Sequence, residues 1–170
     1  MNKRVRNLVY GALIGAMYAA LTHMQNFLLP GSATWAIQMR LSEALCVLAF
    51  FTPAAIPGLT IGCFVFNLTY AAALPADALV GSLATALATA MMYVLRRATV
   101  KGIPVLGLLM PAVMNGLLVG WELTLYIGGG FWLNALYVAI GELAVMFTAG
   151  MVLCALLKKR KLNRFLGEND

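Results

Sequence analysis

Long apolar segments, separated by short breaks of glycine, proline and basic residues, constrain this chain more than any other feature. Hydrophobic residues make up 62% of the sequence and charged residues only 11%, whereas a soluble domain has about 45–50% apolar and about 25% charged residues. A helix that spans a bilayer needs about 20 mostly apolar residues. The pattern therefore predicts an all-α integral membrane protein, with residues 1–170 forming a single membrane domain.

Six apolar segments qualify as helices in the sequence. Thr52 is predicted to cap the third of them, with Pro53 at its first helical position. The second segment is short and directly precedes the third, so merging the two would give five helices instead of six. The predicted segments are residues 8–29, 37–51, 53–73, 76–95, 103–127 and 131–157.

The distribution of basic residues decides between five and six helices. Of the 12 Lys and Arg residues, all except Arg40 lie at the N-terminus, between the fourth and fifth segments, or at the C-terminus. Cytoplasmic loops carry an excess of Lys and Arg, so these three clusters should lie on one side of the membrane. This requires six helices with both termini in the cytoplasm. It also predicts that the clusters face anionic lipid headgroups and not nucleic acid.

A few polar side chains interrupt the apolar segments and are the candidate substrate-binding residues. A charge at the bilayer centre costs about 2.5–3.5 kcal/mol, so it needs a partner or a polar cavity. In the predicted topology most of these residues lie in the outer half of the bundle. Carboxylates, amides and aromatic rings together suit a planar, polar and cationic small molecule. The candidates are Gln38, Arg40, Glu43, Asn67, Asn115, Glu122, Glu142 and Trp132.

Most of these residues also have a purely structural explanation. Arg40 and Glu43 are three residues apart and can form an ion pair on one helix face. The two asparagines can form hydrogen bonds between helices. Asp77, at the start of the fourth segment, is favoured there by the helix dipole. Glu122 and Glu142 have no cation near them in the sequence and are therefore the strongest ligand candidates.

The first predicted helix carries two stripes of small residues at four-residue spacing. Small residues let another helix approach closely, so one stripe can pack inside the bundle while the other contacts an external partner. The sequence does not decide which stripe does which. The two stripes are Gly11, Gly15 and Ala19, and Ala12, Ala16 and Ala20.

The sequence lacks the motifs of nucleotide hydrolysis and of metal-dependent catalysis. GxxxxGK[ST] does not occur, so the chain is not expected to hydrolyse ATP alone. HExxH, GxSxG and a His/Cys metal cluster are also missing. We therefore predict that the chain is not an enzyme and carries no cofactor or metal of its own.

Several of these residues lie in blocks that resemble the QueT family over nearly the whole chain. The most specific blocks are Gln38-Met-Arg-Leu-Ser-Glu-Ala-Leu45 and Phe51-Thr-Pro-Ala-Ala-Ile-Pro-Gly-Leu59. The resemblance continues in Ile61-Gly-Cys63 with Asn67, Gly81-Ser-Leu-Ala-Thr85, Asn115-Gly116 with Glu122, and Gly141-Glu142. It implies a substrate-binding (S) component of an energy-coupling factor (ECF) transporter, with the six-helix S-component fold. The implied substrate is a queuosine precursor, a 7-deazaguanine base captured from outside.

The resemblance also implies partners in the plasma membrane of a prokaryote. These are a transmembrane coupling protein, docked on a small-residue stripe of the first helix, and two cytoplasmic ATPases that use ATP. Two alternatives stay open at this point. The chain could be an S component for another vitamin-like molecule, or a stand-alone proton-coupled carrier.

Overall fold

The computed structural model describes residues 2–32, 39–70, 73–100 and 102–159, and this part of the chain is almost entirely helical. A 3₁₀ helix, Leu41–Phe50, precedes the second α-helix, and a π-helical turn, Met146–Gly150, joins the last two α-helices without a break. The α-helices are α1 Lys3–Leu28, α2 Ala55–Thr69, α3 Asp77–Leu95, α4 Val105–Tyr126, α5 Phe131–Val145 and α6 Met151–Lys159.

Three helical segments within the described residues are long and apolar enough to cross a membrane. They are Asp77–Leu95, Val105–Tyr126 and the continuous stretch Phe131–Lys159, whereas Leu41–Phe50 and Ala55–Thr69 are shorter apolar helices. Each predicted segment overlaps a helix, but the total of six spans and the cytoplasmic location of both termini stay predictions.

The second predicted segment differs most from the structure. Residues 41–50 form a 3₁₀ helix of 10 residues, which at about 2.0 Å per residue is about 20 Å long. The hydrocarbon core of a bilayer is about 30 Å thick. This helix is therefore too short to cross a membrane by itself. Residues 42–50 are all buried, so the 3₁₀ helix runs through the interior of the bundle.

Local sequence accounts for several helix ends. The Asn2 side chain accepts a hydrogen bond from the Arg4 N–H at 3.2 Å and caps α1. Gly128 and Gly129 follow α4 with φ angles of 87° and 85°, a conformation that favours glycine. Thr52 was predicted to cap the next helix directly. Its Oγ1 does accept from the Ala54 N–H at 3.3 Å, but α2 begins only at Ala55.

Four glycines bring the backbones of α1 and α2 into direct contact. A Cβ added to Gly58 would lie 2.5 Å from the Gly11 carbonyl oxygen, and one added to Gly62 would lie 2.5 Å from the Gly15 oxygen. No residue larger than glycine fits at Gly58 or Gly62. Small residues are common where membrane helices pack closely. We call Gly11, Gly15, Gly58 and Gly62 the glycine seam.

Candidate substrate-binding site

Most of the predicted polar residues converge on Arg40, which immediately precedes the 3₁₀ helix. The Arg40 side chain is buried; its Nη1 donates to Cys63 Sγ at 3.8 Å, and its guanidinium carbon lies 5.6 Å from the centroid of the Phe66 ring. Carboxylates from the 3₁₀ helix, α3, α4 and α5 interact with it electrostatically. We call this group the Arg40 cluster: Tyr18, Arg40, Glu43, Cys63, Asn67, Asp77, Glu122 and Glu142.

Glu43 lies in the first turn of the 3₁₀ helix, and the chain itself supplies a donor to each of its carboxylate oxygens. The Tyr18 hydroxyl donates to Oε1, and the Cys46 thiol donates to Oε2 at 3.1 Å. Both donors are neutral and fully buried. Glu43 thus brings a carboxyl group into the site whose two oxygens each already accept a hydrogen bond from within the chain.

A row of polar side chains on α1 holds the start of the 3₁₀ helix in place. The Thr22 and Ser42 hydroxyls lie 2.7 Å apart. Gln25 Oε1 accepts from the Leu41 N–H at 2.8 Å, and this N–H begins a helix and has no partner within it. Together with Tyr18, these residues are spaced at i, i+4 and i+7 on one face of α1. We call Tyr18, Thr22 and Gln25 the polar ladder.

Asn67 and Asp77 connect α2 to α3 next to Arg40. Asn67 Nδ2 donates to the Asp77 carbonyl oxygen at 2.9 Å, and Asp77 Oδ2 accepts from the Leu74 N–H at 2.7 Å. A Cβ added to Gly81 would lie 2.8 Å from Asn67 Nδ2, so the glycine leaves room for the amide. These contacts fit the structural explanation of both residues. Asn67 Oδ1 nevertheless is buried without a hydrogen-bond partner.

Glu122 and Glu142 present unpartnered carboxylate oxygens inside the bundle. Glu122 is 0% exposed and Glu142 is 2% exposed. No N–H or O–H group of the described residues donates to either oxygen of Glu122 or to Oε2 of Glu142, although the carboxyl group of Asp77 lies within hydrogen-bonding reach of Glu122. Buried polar groups are nearly always hydrogen-bonded, because leaving one unpaired costs about 1–3 kcal/mol and more for a charged group. These oxygens are therefore the best candidates for contact with a ligand.

The carboxyl groups of the Arg40 cluster are arranged as two neighbouring pairs. Glu122 interacts electrostatically with Asp77, and Glu142 with Glu43. Arg40 interacts with members of both pairs. Four carboxyl groups from four elements thus interact electrostatically with one guanidinium within the described cluster.

Three predicted binding residues are not shown to join this cluster. Trp132 is 75% exposed, packs edge-to-face on Phe131 and borders a groove between α4 and α5. Asn115 is buried on α4 with an unpartnered Nδ2, about two turns before Glu122. Gln38 lies outside the described residues.

The two small-residue stripes of α1 have different environments. Gly11 and Gly15 are buried in the glycine seam, and Ala19 is half-buried at its edge. The other stripe, Ala12, Ala16 and Ala20, is exposed along its whole length. Gly11 and Gly15 therefore pack internally, and the alanine stripe is open to a partner.

Helices long enough to cross a membrane enclose a buried site rich in carboxylates, and ionisable residues within a membrane typically mark substrate or ion pathways. These features define a helical membrane protein with an internal polar site. A protein-family model described as QueT transporter matches residues 8–159. The chain therefore belongs to the QueT transporter family, which indicates a role in transport and not in catalysis. No curated protein and no solved structure matches the chain.

Proposed function

We propose that the chain is the substrate-binding S component of an ATP-driven ECF importer in a prokaryotic plasma membrane. Its substrate is a queuosine precursor, a 7-deazaguanine base that arrives from outside the cell. The chain binds the base, and partner subunits supply the energy.

The observation that carries this proposal is the set of unpartnered oxygens on Glu122 and Glu142. A base of this kind has several N–H donors on the edge of a planar ring, and an aminomethyl substituent adds a cation. Carboxylates accept such donors in charge-assisted hydrogen bonds, which are about twice as strong as neutral ones.

The exposed alanine stripe supports the proposed coupling to a partner. We assign Ala12, Ala16 and Ala20 as the docking surface for the transmembrane coupling protein, since Gly11 and Gly15 are already occupied by α2. Two cytoplasmic ATPases bound to that coupling protein would hydrolyse ATP. The family membership supports this assignment because it places the chain among transporters.

Ligand titration of the purified protein tests the proposed substrate. We expect saturable binding of the aminomethyl-7-deazaguanine base, and weaker or no binding of thiamine, riboflavin and biotin. Replacing Glu142 by Gln should weaken binding at least about tenfold, or about 1.4 kcal/mol. Tight binding of one of the vitamins instead would favour an S component with another substrate.

Uptake by cells tests the proposed energy source. Cells that express the chain together with the coupling protein and ATPases should accumulate the base. Cells that express the chain alone should not. Equal uptake in both strains, abolished by a protonophore, would show a stand-alone proton-coupled carrier and contradict the proposal.

A further inference from the structure

We infer that Gln25 is a positioning residue for the substrate-binding site: its side-chain amide fixes the main chain on both sides of Arg40 and thereby sets where the Arg40 guanidinium lies. The amide forms hydrogen bonds with the backbone of Met39 and of Leu41, the two residues that flank Arg40. This inference rests on the proposed function, because it treats the Arg40 cluster as the site that binds the base.

The Gln25 amide is bonded through its oxygen and through its nitrogen. Oε1 accepts from the Leu41 N–H at 2.8 Å, while Nε2 donates to the Met39 carbonyl oxygen and, at 2.9 Å, to the Ser32 hydroxyl. A glutamine amide has one carbonyl oxygen and two N–H donors. The reversed amide would turn an N–H toward the Leu41 N–H and an oxygen toward the Met39 oxygen, so these contacts define its orientation.

The backbone conformation of Arg40 suits this double contact. Its φ of -82° and ψ of 104° are extended. In an extended chain the carbonyl of the preceding residue and the N–H of the following residue point to the same side, so one planar amide can bond to both. Only φ and ψ of Arg40 separate these two groups. Bonding both of them to one side chain therefore restricts both torsions.

Side-chain packing of the flanking residues contributes little to holding this stretch. The side chains of Met39 and Leu41 are 47% and 53% exposed, whereas Arg40 is 5% exposed. The Met39 N–H does donate to the Ser32 carbonyl oxygen at 3.2 Å, but the Ser32 hydroxyl is itself bonded to Gln25. Gln25, which is buried, therefore contacts each part of the chain that fixes the Arg40 backbone.

The position of the Arg40 backbone determines which groups its guanidinium reaches. Nη1 donates to Cys63 Sγ at 3.8 Å, and the guanidinium carbon lies 5.6 Å from the centroid of the Phe66 ring. A buried charge that loses its partner is costly and is neutralised instead. Neutral acceptors form weaker hydrogen bonds than carboxylates. Displacing Arg40 should therefore weaken ligand binding, although Gln25 is not proposed to touch the ligand itself.

Titration calorimetry with 7-aminomethyl-7-deazaguanine tests this role in detergent. Gln25→Met keeps the length of the side chain and removes its three hydrogen bonds, so we expect the dissociation constant to rise at least about tenfold. Ser32→Ala, which removes one supporting contact, should raise it about threefold and serves as the second variant if Gln25→Met does not fold. Thr89→Val is the control, because the buried Thr89 hydroxyl bonds to the Thr85 carbonyl oxygen of its own helix at 2.7 Å.

A double variant separates positioning of Arg40 from a general structural role. If Gln25 acts through Arg40, its replacement should change the dissociation constant by less than about twofold once Arg40→Gln is present. Arg40→Lys replaces Arg40→Gln if that protein does not fold, because the ammonium lacks the planar fork of donors. The same fold-loss in both backgrounds would overturn the inference, as would an equal loss of affinity in Thr89→Val.

Hydrogen exchange provides a readout that needs no ligand. The Leu41 N–H loses its acceptor in Gln25→Met, so its exchange should be at least about tenfold faster, while exchange within α4 and in Thr89→Val stays at the wild-type rate. Unchanged exchange at Leu41 would contradict the proposed clamp. A wild-type protein that does not bind the base would contradict the proposed function, and the exchange rates would still decide whether Gln25 holds this backbone.

Discussion

The glycine seam and the Arg40 cluster are both buried where α1 meets other elements, but they are built in opposite ways. In the seam, backbone atoms of α1 and α2 touch directly, and at Gly15, Gly58 and Gly62 no space remains for even one methyl group. In the cluster, several carboxylate oxygens lack hydrogen-bond partners. Close backbone packing, as in the seam, stabilises the fold. Buried polar atoms without hydrogen-bond partners, as in the cluster, are expected where a ligand binds.

Filling the seam should have the largest effect. A Cβ at Gly15 would lie 2.6 Å from the Gly58 carbonyl oxygen, so Gly15→Leu must push α1 and α2 apart. We expect a loss of at least about 3 kcal/mol of stability, at the upper end for overpacked cores. Thermal unfolding in detergent measures it. A normally folded Gly15→Leu protein would show that the seam is not tight.

Ala16→Leu is the matched control, because Ala16 is the next residue and is exposed. We expect the melting temperature and the ligand affinity to stay unchanged. Uptake in the presence of the coupling protein and ATPases should fall at least about tenfold, since the added bulk blocks close helix approach. Met17→Phe, which adds bulk on a neighbouring exposed face, should retain uptake. Equal loss in both variants would exclude a specific docking stripe.

Tyr18→Phe should have an intermediate effect by removing the hydroxyl that donates to Glu43 Oε1. A buried acceptor that loses its donor costs about 1–3 kcal/mol. The double variant Tyr18→Phe/Glu43→Gln tests the contact directly, because two residues in contact give non-additive losses. Melting temperatures of the four proteins provide the comparison. Strictly additive losses would show that the contact contributes nothing.

Thr22→Val should have the smallest effect. It removes the hydroxyl that lies 2.7 Å from the Ser42 hydroxyl but keeps the side-chain shape, so we expect about 1 kcal/mol of destabilisation. Thr148→Val is the control, because the Thr148 hydroxyl is bonded to the carbonyl oxygen of Ala144 in its own helical segment. A loss in Thr148→Val as large as that in Thr22→Val would mean that the polar ladder has no special role.

Much of the site could be predicted because a charged residue in an apolar segment is conspicuous. Arg40, Glu43, Glu122 and Glu142 stood out in the sequence for this reason, and the structure brings all four together. Trp132 was also chosen as a binding residue, yet it lies on the surface, since an amphipathic ring suits a membrane interface equally well.

The polar ladder was missed, although its spacing on α1 was visible. Tyr18, Thr22 and Gln25 follow a helical repeat, but polar residues near a helix end are also expected at a membrane surface. Their contacts with Ser42, Glu43 and Leu41 join residues between 16 and 25 positions apart. No local sequence pattern predicts contacts between residues so far apart in the chain.

The sequence by itself determined the apolar segments, the rarity of internal charge and the family, because these follow from composition and from short blocks of residues. Only the tertiary structure decided which stripe of α1 faces inward. Both stripes have the same spacing, and the choice depends on Gly58 and Gly62 of α2, whose lack of side chains admits Gly11 and Gly15. The same is true of the two carboxyl pairs, since each pair joins residues from different elements that packing alone brings together.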